Sequence, residues 1–239
     1  MELIQGYEDM KSLIAEYGFM PFFSNDIEGF SIEDHTPDDL WFADDREDPW
    51  EWKGPVVREG QFVYGKFFHG KMGFISKELF AEFANYRRRS LMLSAMEKTV
   101  YDTVVMNESL LTKEIRALCG YHRRRKEHSS PIESVVERTV KVRKTKAPDA
   151  REGFDTVMTR LQMSTRVVIA DFEYNVDKRG NAYGWGLARY STPEVLYGRE
   201  LLDACATHSA EESRTKLFEH LSKVLPHASE RQIAYFVDL

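Results

Sequence analysis

The spacing of apolar positions divides the chain into helical stretches interrupted by runs of strict alternation. Met10, Leu13, Ile14 and Tyr17 share one face at helical spacing, which predicts an amphipathic helix from about Tyr7 to Tyr17. Gly18 supplies its C-terminal stop, and Pro21 prevents continuation. An acidic, irregular stretch follows, with short helices expected after Ser31 and after Thr36 and Pro37. Between Gln61 and Ile75 the period changes to two. Phe62, Tyr64, Lys66 and Phe68 alternate, His69 to Lys71 turns, and Met72 to Ile75 returns, as in a hairpin. Ser76 is then placed to cap a helix carrying Leu79, Phe80 and Phe83, closed by Arg87, Arg88 and Arg89, whose charge suits the negative end of the helix dipole.

A longer helix is expected around Leu93, Met96, Val100 and Val104. Leu110, Leu111, Ile115 and Leu118 predict a short helix with Thr112 as N-cap and Gly120 as stop; Phe154, Val157, Met158 and Leu161 predict another. Arg166 to Tyr174 has strand chemistry, and Ala182 to Tyr190 reads as its antiparallel partner across an Asn175 to Asn181 turn. Helix, helix, hairpin is the order of a winged helix-turn-helix unit. The expected fold class is therefore α+β, with winged helix-turn-helix units, β-hairpins and a C-terminal helical segment. That segment starts at Thr192 and Pro193, and Ser209 with Glu212 and Ser229 with Gln232 fit the capping-box spacing. Three regions follow: 1–90, 91–193 with an oversized connection at 121–150, and 194–239. No internal repeat is visible in the sequence.

Charge sharpens this picture. The 239 residues carry a net charge of −6, distributed as −12 over residues 1–60, +9 over 61–170 and −3 over 171–239. The positive charge accompanies the expected helix-turn-helix, as a phosphate-facing side requires, although it could also pair with the acidic N-terminal part. The connection holds Arg123, Arg124, Arg125 and Lys126 and then Arg138, Lys141, Arg143, Lys144 and Lys146. With Ile132, Val135, Val136 and Val140 it reads either as a basic amphipathic helix or as a solvated arm. Two cysteines, Cys119 and Cys205, lie far apart without CxxC spacing, and the seven histidines lack a metal-binding motif. No cofactor and no metal are expected. No run is long and apolar enough for a membrane span, and the acidic start does not read as a signal peptide, so the expected location is cytoplasmic.

Candidate chemistry sits in two places. Within thirteen positions Trp41, Trp50 and Trp52 surround Asp45 and Asp48. Carboxylates beside indole walls can act as general acids or stabilise a developing cation, and such a hollow could hold a flipped base. The same composition also describes a loop pinned by buried indoles with Asp side chains on backbone amides. The second place is the hairpin tip, where Lys178 and Arg179 could meet a phosphate. With Arg87, Arg88, Arg89, Arg123, Arg124 and Arg125 they make up the candidate nucleic-acid contacts. P-loop, GxGxxG and GxSxG motifs are missing.

The segments GFMPFFSNDIEGFSIED, LWFADDREDPWEWKGPVV, VYGKFFHGKMGFISKELFAEFANYRR and FDTVMTRLQMSTRVVIADFEYNVDKRGNAYGWGLARYSTPE resemble the bacterial AlkZ-related proteins. These are remote relatives of alkylpurine DNA glycosylases built from tandem winged helices. The resemblance implies DNA as partner and a repair-linked role; an enzyme of this kind would be a glycosylase-like hydrolase. Those glycosylases use a Gln-x-Gln or Gln-x-Asp pair, whereas Gln5, Gln61, Gln162 and Gln232 are followed two positions later by Tyr7, Val63, Ser164 and Ala234. Asp45 and Asp48 are the substitutes to consider, and a non-catalytic module that binds a protein partner is the alternative.

Overall fold

Two stretches without a common sequence pattern fold through the same series of elements. In the computed structural model, which describes residues 3–41, 47–121, 152–177, 179–180 and 182–238, the first series starts with α1 (Tyr7–Tyr17) and β1 (Phe19–Pro21). Two single-turn 3-10 helices follow (Glu33–His35 and Asp38–Leu40), then α2 (Pro49–Arg58), β2 (Phe62–Phe68) and β3 (Lys71–Ser76). After α3 (Lys77–Ser90) the order recurs: α4 (Ala95–Asn107), β4 (Ser109–Leu111), α5 (Thr112–Leu118), α6 (Phe154–Met163), β5 (Val168–Val176) and β6 (Ala182–Ser191). The chain closes with α7 (Pro193–Tyr197), α8 (Arg199–Asp203), α9 (Ala210–Val224) and α10 (Glu230–Val237).

Among the described residues six strands form one antiparallel sheet in the order β1-β3-β2-β5-β6-β4. Read outward from the β2–β5 seam, each side presents the second, third and first strand of its series. The seam pairs Tyr64 with Ile169 in antiparallel fashion, so equivalent strands meet across a local two-fold. The fold is thus α+β and internally duplicated. The duplication is invisible to sequence inspection because it resides in topology.

Local chemistry explains most boundaries. Gly18 ends α1 at φ 70°, a left-handed conformation that glycine adopts without strain, and its N–H donates to the Ile14 carbonyl. Reciprocal capping boxes start α4 (Ser94 with Glu97), α9 (Ser209 with Glu212) and α10 (Ser229 with Gln232). The first hairpin closes in two residues, His69 and Gly70, both at positive φ. Two expectations shift. Leu110 and Leu111 lie in β4, a buried strand, and Leu111 occupies the cap position of α5 while its N–H donates to the Glu114 carboxylate at 2.7 Å. Thr112 is the first helical residue, and the Ser76 hydroxyl makes no capping bond to α3.

Packing follows the duplication only in part. The larger core joins the first series to Val168, Ile169 and Phe172 of β5 and to Leu217, Leu221, Ile233, Phe236 and Val237 of the C-terminal helices. Those helices therefore cover the first half. The smaller core contains Val100, Val104, Ile115, Val157, Met158, Leu161 and Val167 of the second series. Among the described residues no helix is long and apolar enough to cross a membrane.

Candidate functional site

Asp48 initiates α2. Its Oδ1 accepts the N–H groups of Trp50 at 2.7 Å and Glu51 at 3.2 Å, while Glu51 Oε2 accepts the Asp48 N–H at 3.3 Å. With Pro49 at the first helical position, the buried carboxylate is committed to amides that the helix leaves unpaired. This geometry is that of a structural cap. Trp52 is buried in the core. Trp50 and Trp41 pack on Phe22, at ring-centroid separations of 5.7 and 6.1 Å. The three indoles are thus packed side chains, and Asp45 lies outside the described residues.

Lys53, which the sequence did not single out, packs against Trp50. Its Nζ donates to the Trp50 carbonyl and lies 3.8 Å from the Trp50 ring centroid and 4.8 Å from that of Phe172. Burial pushes the ammonium down to about 8, with Asp48 and Glu51 pulling in the opposite direction. The juxtaposition of lysine and tryptophan in WEWKG was the available signal. It acquires meaning only when β5 brings Phe172 over the second face.

The three consecutive arginines of α3 separate in space. Arg87 was expected on a nucleic-acid face, but it is fully buried. Its guanidinium donates to the carbonyls of Val237 (2.8 Å), Asp238 (2.9 Å), Phe236 (3.3 Å) and Met163 (3.4 Å). It thereby satisfies the orphan carbonyls at the end of α10 and cannot reach a phosphate. Arg88 donates to the Thr165 carbonyl at 2.8 Å and pairs with Glu194. Arg89 is exposed and donates to the Ala206 carbonyl at 3.0 Å. Arg179 is exposed at the second hairpin tip, where its N–H donates to Asp177 Oδ1 at 2.7 Å. Arg123, Arg124, Arg125 and Lys178 lie outside the described residues.

One opening among the described residues was not expected. A cleft of about 690 Å³ lies between the loop after β1, the start of β3 and α10, with Phe23, Asn25, Asp26, Lys71, Arg231 and Tyr235 on its walls. Phe23 and Tyr235 are exposed large rings, whereas most of the other described phenylalanines are buried. Tyr235 is stacked on His69 at 4.2 Å and 21°, and His69 Nε2 lies 2.9 Å from the Tyr235 carbonyl. The tight first hairpin therefore holds this ring in place. Gln232 Nε2 donates to the Asp26 carbonyl at 2.6 Å and ties α10 to the loop. The cleft offers ring faces, two cations and an amide, which suits an unstacked base with its phosphate.

α2 and α6, equivalent in the two series, each pack on the other half's strand. From α2, Arg58 pairs with Asp171 at 2.8 Å. From α6, Gln162 Oε1 accepts the Lys66 N–H at 3.1 Å. The exposed face of α6 keeps Asp155, Thr156 and Arg160, whereas α2 leaves only Glu51 and Arg58 exposed.

A family model described as AlkZ related matches residues 4–238. No curated protein and no solved structure matches the chain.

Proposed function

This chain belongs to the AlkZ-related family, and from that premise we propose that it is a DNA-binding protein with a repair-linked role, built from two winged helix-turn-helix units. The observation that carries the reading is the repeated order of helix, strand, helical turn, helix and hairpin, with the three strands of each series paired in the same sequence. The +9 charge of residues 61–170 supports it. In this reading the second unit meets the duplex through the exposed face of α6 and through the β5–β6 hairpin as its wing. The Phe23–Tyr235 cleft takes a base displaced from the stack. Binding without excision is the expected outcome, because the Gln pair is missing and Asp48 caps a helix.

Fluorescence anisotropy with duplex, single-stranded and extrahelical-base DNA tests the reading. Binding is expected at low salt and should weaken steeply as salt rises. Tyr235→Ala should abolish the preference for the extrahelical base, since base-on-ring stacking is worth about 1–3 kcal/mol. An absence of binding at low salt would remove DNA as the ligand and leave the alternative, a module that presents its −12 N-terminal part to a protein partner. Release of bases from alkylated DNA by Asp48→Asn at the wild-type rate would assign any excision to another group.

A further inference from the structure

Where Arg89 of α3 reaches the Ala206 carbonyl, the fold also assembles a mixed donor cluster. Glu82 projects from α3, and Cys205 and His208 come from the turn that follows α8, so the two turn residues have C-x-x-H spacing. One carboxylate oxygen, the Cys205 sulfur and one imidazole nitrogen all lie within 4.8 Å of one another. We infer that Glu82, Cys205 and His208 form a zinc site that fastens the turn after α8 to α3.

The donor set selects the ion. A thiolate, an imidazole and a carboxylate together suit zinc, whereas magnesium and calcium take oxygen donors. Bond lengths of about 2.0–2.3 Å place the donors of tetrahedral zinc roughly 3–4 Å apart. The widest separation in the cluster therefore needs to contract by roughly 1–2 Å at most, within reach of side-chain rotation. Three protein donors leave the fourth position to water.

The supporting groups are already placed. Ser213 Oγ donates to Glu82 Oε2 at 2.6 Å, which orients the carboxylate. Asn85 Nδ2 donates to Ser213 Oγ at 2.7 Å and to the His208 carbonyl at 3.0 Å, while Arg89 donates to the Ala206 carbonyl. Both ends of the ligand turn are thus tied to α3 without help from an ion, which is the role of hydrogen bonds around a metal centre.

The cluster also draws a cation. The Lys216 ammonium lies 2.9 Å from Glu82 Oε1 and 3.1 Å from each ring nitrogen of His208. Its side chain is half exposed and can withdraw to water. Exchange balances in charge. Zinc enters, Lys216 leaves for solvent, the thiol proton passes to water, and Zn²⁺ with one carboxylate and one thiolate is as neutral as the carboxylate–ammonium pair it replaces.

The test uses the full chain. Protein from zinc-supplemented cells is expected to hold one zinc ion per chain by mass spectrometry, and the metal-stripped protein titrated with Co²⁺ should show thiolate-to-cobalt charge transfer. Cys205→Ser and His208→Ala should each weaken binding at least ~100-fold, while Cys119→Ser should leave it unchanged. Lys216→Ala should tighten binding, because the competing cation is gone. Since the cobalt spectrum of the wild-type chain reads the thiolate directly, the inference survives a misfolded ligand variant. A wild-type chain that binds neither ion would overturn it. So would cobalt bound without the charge-transfer band, or affinity unmoved by Cys205→Ser.

Discussion

The two halves of the sheet run through the same elements and put them to opposite uses. In the first half Phe19, Phe22, Phe30, Tyr64, Phe67, Phe68, Phe74, Phe80 and Phe83 are all buried, and the C-terminal helices close over them. The second half is held by a smaller, mostly aliphatic core and leaves Val105, Met106, Leu118, Tyr174 and Leu187 exposed. The first hairpin is clipped to two residues and wedged under Tyr235, whereas the second extends to an exposed tip. α2 is buried along most of its length, whereas α6 shows solvent a polar face. The same topology thus provides one half that is fixed by packing and one that remains available for contact. Fold alone does not distinguish them.

The comparison breaks most readily at Arg87, which ties α3 to the end of α10. Truncation to alanine leaves several buried carbonyls without a donor and removes a guanidinium packed 4.4 Å from the Phe83 ring centroid. A loss of about 3–5 kcal/mol in urea unfolding is expected. Duplex affinity of the folded fraction should stay the same. A variant of wild-type stability with weakened DNA binding would return Arg87 to the nucleic-acid face.

Glycine substitutions measure the packing difference directly. A Cβ at Gly73 would meet Phe68 Cε2 at 2.4 Å and the Met20 carbonyl oxygen at 2.8 Å, and the backbone contact cannot be relieved by side-chain rotation. At Gly186 the nearest atoms are Tyr174 Cζ at 3.1 Å and Phe172 Cβ at 3.2 Å. Gly73→Ala should cost about 2–3 kcal/mol and Gly186→Ala about 1 kcal/mol or less in the same unfolding measurement. Equal costs would mean that the two halves are equally tight.

The halves also differed in how far the sequence disclosed them. Periodicity placed α1 at Tyr7–Tyr17, and the Ser–Glu and Ser–Gln spacings marked α9 and α10, because those signals are local. α2 was missed. It contains Pro55 and Gly54 and is buried on most faces, so it shows breakers where a helix should show an amphipathic stripe. Three-residue strands such as β1 and β4 carry no period, and Leu110 and Leu111 were read into a helix. With α2, β1 and β4 hidden, the duplication was hidden as well. The candidate site fared worse for the same reason: Phe23 and Tyr235 are 212 positions apart, and only tertiary packing brings α10 to the loop after β1.

Lys53 tests the contact between the halves from its charge. Its ammonium is pushed down to about 8, below the unfolded value of about 10.4. Between those values the unfolded chain binds more protons than the folded one, so stability rises with pH across the window, by on the order of 2 kcal/mol. Below about pH 8 both states are protonated and the cost of burying the charge is fully present. Urea unfolding at about pH 7 and about pH 10 should show this rise in the wild type and a flatter profile in Lys53→Met. Parallel profiles would show that Lys53 titrates as it does in water and that the α2–β5 contact is open to solvent.

The smallest effect tests which half would meet DNA under the proposed function. At the second hairpin tip Arg179 is exposed, and Gly180 at φ 89° turns the chain toward β6. If the tip lies against phosphates, replacing Lys178 and Arg179 together with alanine removes two counterion-releasing contacts. The salt dependence of duplex binding should then be shallower by roughly 1.8 in log–log slope, with a ~3–10-fold loss of affinity at low salt. Replacing Lys71 and Arg231 at the cleft should instead lower the preference for an extrahelical base and leave the duplex slope as it was, because those cations line the cleft together with Tyr235. The opposite pairing, with the slope moved by the cleft variant and untouched by the tip variant, would run the phosphate path through the first half. The tight hairpin under Tyr235 would then be the working edge, and the exposed second half would need another explanation.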